Sequence, residues 1–270
     1  IVELELEKVG KRLATKASTP MYADYRPELD VSPLLNPQQA NYYQELIGIL
    51  RWAVELGRID IHVQVAMLSS YTVQPRVGHL DAVFRILAYW NAHNRSKLVF
   101  DSRAPTIDER KFTKYSWEDF YRGAKEAIPP NMPEPRGKEV EIHCFVDADH
   151  AGDWLTRRSQ SGILIFCNRA PITWYSKKQN TVETSTFGSE FVALKTAVEL
   201  IEALHYKLRM FGIPIAGPAS IYCDNDSVVN NTTKPESTLK KKHNAIAYHR
   251  VREAVASSTV RIAWEDGKQI

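Results

Sequence analysis

Three acidic residues stand where carboxylates can do chemistry together. Asp147 lies in the strand-like run IHCFVDAD, Asp224 follows the apolar run SIYC, and Glu190 falls early in a long helical pattern. Each belongs to a different element and borders an apolar stretch, so the three can meet at one sheet edge while their elements pack. Clustered carboxylates repel one another, and they stay ionised together only with a divalent cation among them. Hard oxygen donors suit magnesium or manganese. Two such ions can activate a water and stabilise the leaving oxygen in phosphodiester cleavage. Asp149, Asp153 and Asp226 lack that placement and read as ordinary surface acids.

The element that must carry Glu190 is the most regular in the chain. From Glu183 to Arg209, residues Phe187, Phe191, Leu194, Val198, Ile201 and Leu208 recur at helical spacing and form one apolar face. Thr184, Ser185 and Thr186 offer capping oxygens ahead of it. Glu190 sits on the flank of that stripe and can lean toward a sheet on which the helix packs. Over 139–146, Ile142, Cys144 and Val146 share one strand face, and His143, Phe145 and Asp147 the other. Residues 162–167 form a continuous apolar run, as in a central strand. A third strand over 171–175 follows a turn at Asn168-Arg169-Ala170, a fourth over 220–223 ends at Asp224, and Val260, Ile262 and Trp264 alternate in a last one. Helices are expected from Asp224 to about Asn231 and over 239–257. The order is that of an α/β layer fold: an antiparallel hairpin with parallel strands added after the long helix.

Upstream, residues 1–35 read as an irregular lead-in with a basic KRLATK segment. Asn36-Pro37 with Gln39 has the form of a capping box with proline at the first helical position. A helix should run from there to about Leu56 and stop at Gly57, followed by helices over 59–71 and 79–92 and a short strand at 97–100. Residues 1–100 thus form a mainly helical region. Residues 101–138 read as a linker, with a short helix over 117–127 and then Pro129, Pro130, Pro133 and Pro135. Residues 139–270 hold the sheet.

The 270 residues are 44% hydrophobic and 25% charged, an ordinary globular composition with room for two domains. A net charge of +3 is too mild to name a partner by itself. The basic runs Arg157-Arg158, Lys177-Lys178 and Lys240-Lys241-Lys242 are either phosphate contacts or solvated surface. Cys144, Cys167 and Cys223 form no C-x-x-C and lie in apolar runs, so they read as buried reduced thiols of an intracellular protein. No signal peptide and no membrane-spanning run is visible, and no membrane partner is expected. A chain that begins at Ile1 and stops at Ile270 in a charged stretch reads as a piece of something longer.

In order, FVDADHAGDW, SGILIF, PITWYSKKQNTV, STFGSEFVAL, IYCDN and KKHNAIAYHRVREAV resemble the RNase H domain of copia-type LTR retrotransposon polyproteins. YYQELIGILRWAVE, IDIHVQVAMLSSY and HLDAVFRILAYW resemble the segment between that family's reverse-transcriptase palm and its RNase H. The resemblance covers nearly the whole chain. It implies an RNase H-like mixed five-stranded sheet with helices, preceded by a mainly helical thumb- or connection-like region, with 139–270 truncated at its C-terminus. It also implies two Mg2+ (or Mn2+) ions, an RNA–DNA hybrid whose RNA strand is cut, and the rest of the Pol polyprotein as a partner, in a cytoplasmic particle or the nucleus. The family's first three catalytic and metal-binding acids fall on Asp147, Glu190 and Asp224. Lys177, Lys178, Ser185, Asn225 and Lys242 are the candidates for touching nucleic acid, although Asn225 can equally cap a turn. Some features depart from the family. No Tyr-x-Asp-Asp polymerase motif is present; Lys242, His243, Asn244 and Ala245 stand where Lys-His-Ile-Asp is common; and no Leu-Ala-Asp segment carries a fourth acid. Asp266 lies near that position without a motif that marks it. His243 is read as a packing histidine, and Trp154 and Trp174 as core or rim. The alternative reading is a decayed or co-opted fragment that binds nucleic acid without cutting it.

Overall fold

Capping and apolar spacing account for the N-terminal helices. The computed structural model describes residues 17–239 and 244–268. Helix α1 (Pro37–Glu55) starts with the expected capping box: Asn36 accepts from the Gln39 amide at 2.9 Å and Gln39 accepts from the Asn36 amide at 3.2 Å. Tyr43, Leu46, Ile47, Leu50, Ala53 and Val54 line its buried face. Gly57 ends it at a φ of +111°, a conformation that favours glycine. A 3-10 turn over Ile59–Ile61 leads into α2 (His62–Ser69), and the Tyr43 hydroxyl donates to the Leu68 carbonyl at 2.7 Å. Helix α3 (Val77–Ala92) begins two residues before His79, whose Nδ1 accepts from the Arg76 amide at 3.1 Å. Residues 97–100, expected as a strand, are not one: no strand among the described residues pairs with them, and Val99 and Phe100 are largely exposed. The KRLATK segment lies outside the described residues.

The chain divides into two compact units. One comprises the residues up to Leu98 with 153–156 and 176–178, the other 99–152, 157–175 and 179 onward. The proline-punctuated stretch therefore groups with the second unit. Glu126 fixes it there, bonding to His205 Nδ1 at 2.7 Å and to Arg209. The helix expected over 117–127 is a single turn, in which Tyr121 bonds back to the Trp117 carbonyl at 3.0 Å before Gly123 at φ +76°. The rings of Trp117 and Tyr121 are engaged by Arg252, so tertiary contact overrides helix propensity here.

The second unit is built on a five-stranded sheet of order β3-β2-β1-β4-β5, with β1 (Ile142–Asp149), β2 (Gln160–Cys167), β3 (Ala170–Lys178), β4 (Ala219–Cys223) and β5 (Val260–Trp264). Strands β1 and β2 are antiparallel, from Ile142↔Cys167 to Asp149↔Gln160; β4 is parallel to β1, and β5 to β4. This is the mixed five-stranded sheet that the resemblance implies, with the hairpin first and the parallel strands after the long helix. Asn168 makes the β2–β3 turn at φ +54°, a conformation asparagine tolerates. Helix α4 (Thr186–Met210) buries Phe191, Leu194, Val198, Ile201 and Leu208, as its spacing requires, against Cys144, Val146, Ile221 and Cys223. Short α5 (Asp226–Thr233) and α6 (Ala245–Ala256) complete the layer.

Arg252 of α6 is among the largest fully buried side chains in the molecule. It donates to the carbonyls of Asn231, Lys234 and Pro235 at 2.6–2.8 Å and stacks on Trp117 and Tyr248. Its charge is met by carbonyl dipoles and ring faces, which fasten the end of α5 to α6.

Candidate active site

Strand register brings the first two acids together. The pair Val146↔Cys223 in the parallel β1–β4 ladder carries the next residue on each chain, Asp147 and Asp224, to the same end of the sheet. Asp147 is exposed on the face opposite Val146, and its Oδ1 accepts from the Ala148 amide at 2.7 Å. Its partner across the β1–β2 ladder is Gly162, which leaves that flank without a side chain. Asp224 is the first residue after β4 and is also exposed, and its carbonyl accepts from Trp264 Nε1 at 2.9 Å. A Cβ on Gly267 would lie 2.8 Å from Asp224 Oδ2, so a side chain there would push the exposed Asp224 carboxylate aside.

Helix α4 delivers the third acid. Ser185 caps it, accepting from the Gly188 amide at 3.3 Å, and Glu190 follows in its second turn, only 5% exposed. Its Oε2 is buried and has no hydrogen-bond partner. Burial first, then the charges of Asp147 and Asp224, push the Glu190 carboxyl up to about 8. Asp224 is also raised, by burial and then by Asp147 and Asp266. The structure thus brings all three predicted acids within mutual electrostatic reach. A buried, unpartnered carboxyl oxygen facing two like charges is the arrangement a divalent cation relieves, and the oxygen donors fit magnesium or manganese.

Two further residues join this neighbourhood: Asp266, noted from sequence only as lying near the expected fourth acid, and Cys223, read from sequence only as a buried thiol. Asp266, just after β5, is close enough for its charge to act on Asp224. Cys223 Sγ lies with carboxyl oxygens of Glu190 and Asp224 in a set whose atoms are all within 4.8 Å of one another. Its signal was position alone: it shares the helix-facing parity of Ile221 and immediately precedes Asp224. Burial raises its thiol first, and the surrounding carboxylates push it further, to about 12.

The remaining candidates have other occupations. Lys178 is paired with Asp153, which corrects the reading of Asp153 as a surface acid: it is buried, and its Oδ1 accepts from the Leu155 and Thr156 amides. Lys177 is exposed. Ser185 caps α4, and Asn225 caps α5 by accepting from the Val228 amide at 3.2 Å. Lys242 and His243 lie outside the described residues. Cys144 and Cys223 are buried as expected, whereas Cys167 at the end of β2 is partly exposed. Trp154 is exposed and Trp174 half-buried.

No protein-family model matches the chain. It is 26% identical over 257 residues to the retrovirus-related Pol polyprotein from transposon RE2 of Arabidopsis thaliana, an alignment covering 95% of this chain and 15% of that protein. It is 24% identical over 266 residues to the corresponding polyprotein from transposon TNT 1-94 of Nicotiana tabacum, covering 97% and 17%. The chain therefore spans about a sixth of the length of these relatives. Among solved structures, a ribonuclease H1 in complex with an RNA/DNA hybrid aligns at 12% identity and a TM-score of 0.38, covering 48% of this chain and 88% of that one. Among the described residues, no helix is long and apolar enough to cross a membrane. Its similarity to these retrovirus-related Pol polyproteins extends along almost its whole length.

Proposed function

We propose that this chain is the C-terminal part of a copia-type reverse transcriptase, residues 1–100, followed by a ribonuclease H over 139–270 that cuts the RNA strand of an RNA–DNA hybrid. The observation that carries this reading is Glu190: a buried carboxyl with an unpartnered oxygen, held against Asp147 and Asp224. Asp147, Glu190 and Asp224 are the residues that would hold Mg2+ or Mn2+. When bound, such ions supply a hydroxide-like water at neutral pH and neutralise charge on the leaving oxygen.

The protein's own part is placement. The β1–β4 register fixes Asp147 and Asp224 side by side, and the Ala148 amide orients the Asp147 carboxylate. Packing of α4 on the sheet commits Glu190 to the site and keeps water from its inner oxygen. Preorganised charge of this kind needs no rearrangement as negative charge develops on the phosphate. Exposed Lys177 and the 240–242 lysines are proposed to contact phosphates, giving salt-sensitive, sequence-independent binding. The setting is the Pol polyprotein, in a cytoplasmic particle or the nucleus.

The test is cleavage of a hybrid labelled on its RNA strand, with Mg2+ or Mn2+. Asp224→Asn and Asp147→Asn should each lower the rate at least ~100-fold, since each removes a charge aimed at the transition state. Cleavage that survives Asp224→Asn, or that proceeds in a chelator, refutes the proposal.

A further inference from the structure

The hard-ion reading uses three carboxylates and leaves one donor unused. Cys223 Sγ faces the same space as Glu190 and Asp224, with all three donor atoms within 4.8 Å. The thiol has no exposed surface, yet Asp224 beside it is open to solvent, so an ion can approach from that side. Glu190 gives the independent sign that this space takes a ligand, because its carboxyl is 5% exposed and keeps a buried oxygen without a partner. Neither Cys144 nor Cys167 belongs to such a group among the described residues.

One sulfur and two carboxylate oxygens form a mixed donor set. Magnesium ignores the sulfur, whereas zinc and cadmium bind thiolate and carboxylate alike. Zinc needs its sulfur at ~2.3 Å and its oxygens at ~2.0–2.2 Å, so side-chain rotation of about an ångström closes the set, with water as a fourth ligand. The thiol proton leaves to solvent as the sulfur–metal bond forms, and no electron is transferred.

We propose that Cys223, Glu190 and Asp224 form a site for a thiophilic divalent ion, which competes with the hard ions for the two shared carboxylates and so holds the centre inactive. The inhibitory consequence rests on the ribonuclease reading, whereas the binding itself does not.

The experiment is titration of the metal-free chain with Cd2+, followed by the sulfur-to-cadmium charge-transfer absorption in the ultraviolet. Wild type, Cys223→Ala, Cys223→Ser and Glu190→Gln are compared after circular dichroism has verified their folding. A parallel calorimetric titration uses Mn2+. The wild type should give a band that saturates at one ion per chain. Both Cys223 variants should lose that band and bind Cd2+ roughly 100-fold more weakly, and Glu190→Gln should keep the band with affinity about tenfold lower. Mn2+ affinity should stay within about twofold in Cys223→Ala, because sulfur contributes little to a hard ion. A band that persists in both Cys223 variants overturns the proposal. So does an equal loss of Mn2+ and Cd2+ affinity, which would make the thiol merely structural. A saturating, Cys223-dependent cadmium band in a wild type that binds no Mn2+ supports the soft-ion site and counts against the ribonuclease instead.

Discussion

Replacing Glu190 by Gln should stabilise the metal-free protein, and the gain should depend on pH with a defined sign. The Glu190 carboxyl titrates near 4.5 in an unfolded chain and near 8 when buried beside Asp147 and Asp224. Between those values the folded state holds a proton that the unfolded state has released, so stability falls as pH rises through the window. At pH 7 the window has been crossed from 4.5 to 7; at ~1.4 kcal/mol per pH unit this destabilises the native state by about 3.5 kcal/mol, a ceiling that residual solvation lowers. Glutamine has nearly the same shape and cannot ionise. In thermal or urea unfolding with chelator, Glu190→Gln should match wild type at about pH 4.5, exceed it by ~1–3 kcal/mol at pH 7, and reach its largest margin above pH 8. Saturating Mg2+ should narrow or reverse the margin, since the wild type alone gains binding energy at Glu190. A margin that is independent of pH, or a Gln variant less stable at pH 8, refutes the idea that Glu190 carries an unrelieved charge.

Three further outcomes follow from features away from the acids. Arg252→Met should cost roughly 3–5 kcal/mol in chemical unfolding, because three carbonyls lose a charged donor in a buried place; a cost under ~1 kcal/mol would show that the carbonyls find other partners. Glu126, held down to about 2 by His205 and Arg209 against the cost of burial, contributes stability that is present above about pH 4.5 and is lost as pH falls toward 2. After allowance for solvent screening, Glu126→Gln should cost about 1–2 kcal/mol at pH 7 and almost nothing near pH 2, measured by unfolding at both. Hybrid binding, followed by fluorescence anisotropy, should weaken linearly on a log–log plot against salt, with a slope lowered by about one when Lys177→Ala removes one phosphate contact; an unchanged slope removes Lys177 from the interface.

Much of this arrangement is legible in the sequence because it rests on short-range regularities. The alternation of Ile142, Cys144 and Val146 sets which way Asp147 faces, and the stripe from Phe191 to Leu208 sets which face of α4 is buried. The acids follow, since each is tied to an element whose buried side is readable. Features that depend on distant partners were not readable. Trp117 and Tyr121 sit in a stretch with helix-like composition, but Arg252, far along the chain, takes both rings and leaves one turn. Residues 97–100 have strand propensity, but no strand among the described residues pairs with them. Asp153 resembles any surface acid until Lys178 is brought against it. Cys223 and Asp266 enter the site only through the combined register of β1, β4 and β5. Arg252 could have been suspected, since it stands four residues after Tyr248 and next to Val251, among buried positions of an otherwise ordinary amphipathic helix.

The position of β4 in the sheet also sets the order in which the molecule can assemble. Strand β1 pairs on one side with β2, its immediate successor, and on the other with β4, which the chain reaches only after β3 and the 25-residue α4. The β1–β2 hairpin closes a short loop, whereas the β1–β4 ladder closes one of roughly 70 residues and bears the larger entropic cost. On this loop-closure argument, Asp147 and Glu190 should come together before Asp224 arrives. The third negative charge enters with β4, all five of whose residues are buried, so the strand that introduces the repulsion also carries the apolar surface that offsets it. In pulse-labelled hydrogen exchange during refolding, amides of the β1–β2 ladder should gain protection before those of β4; simultaneous protection would mean that one cooperative step assembles the whole sheet.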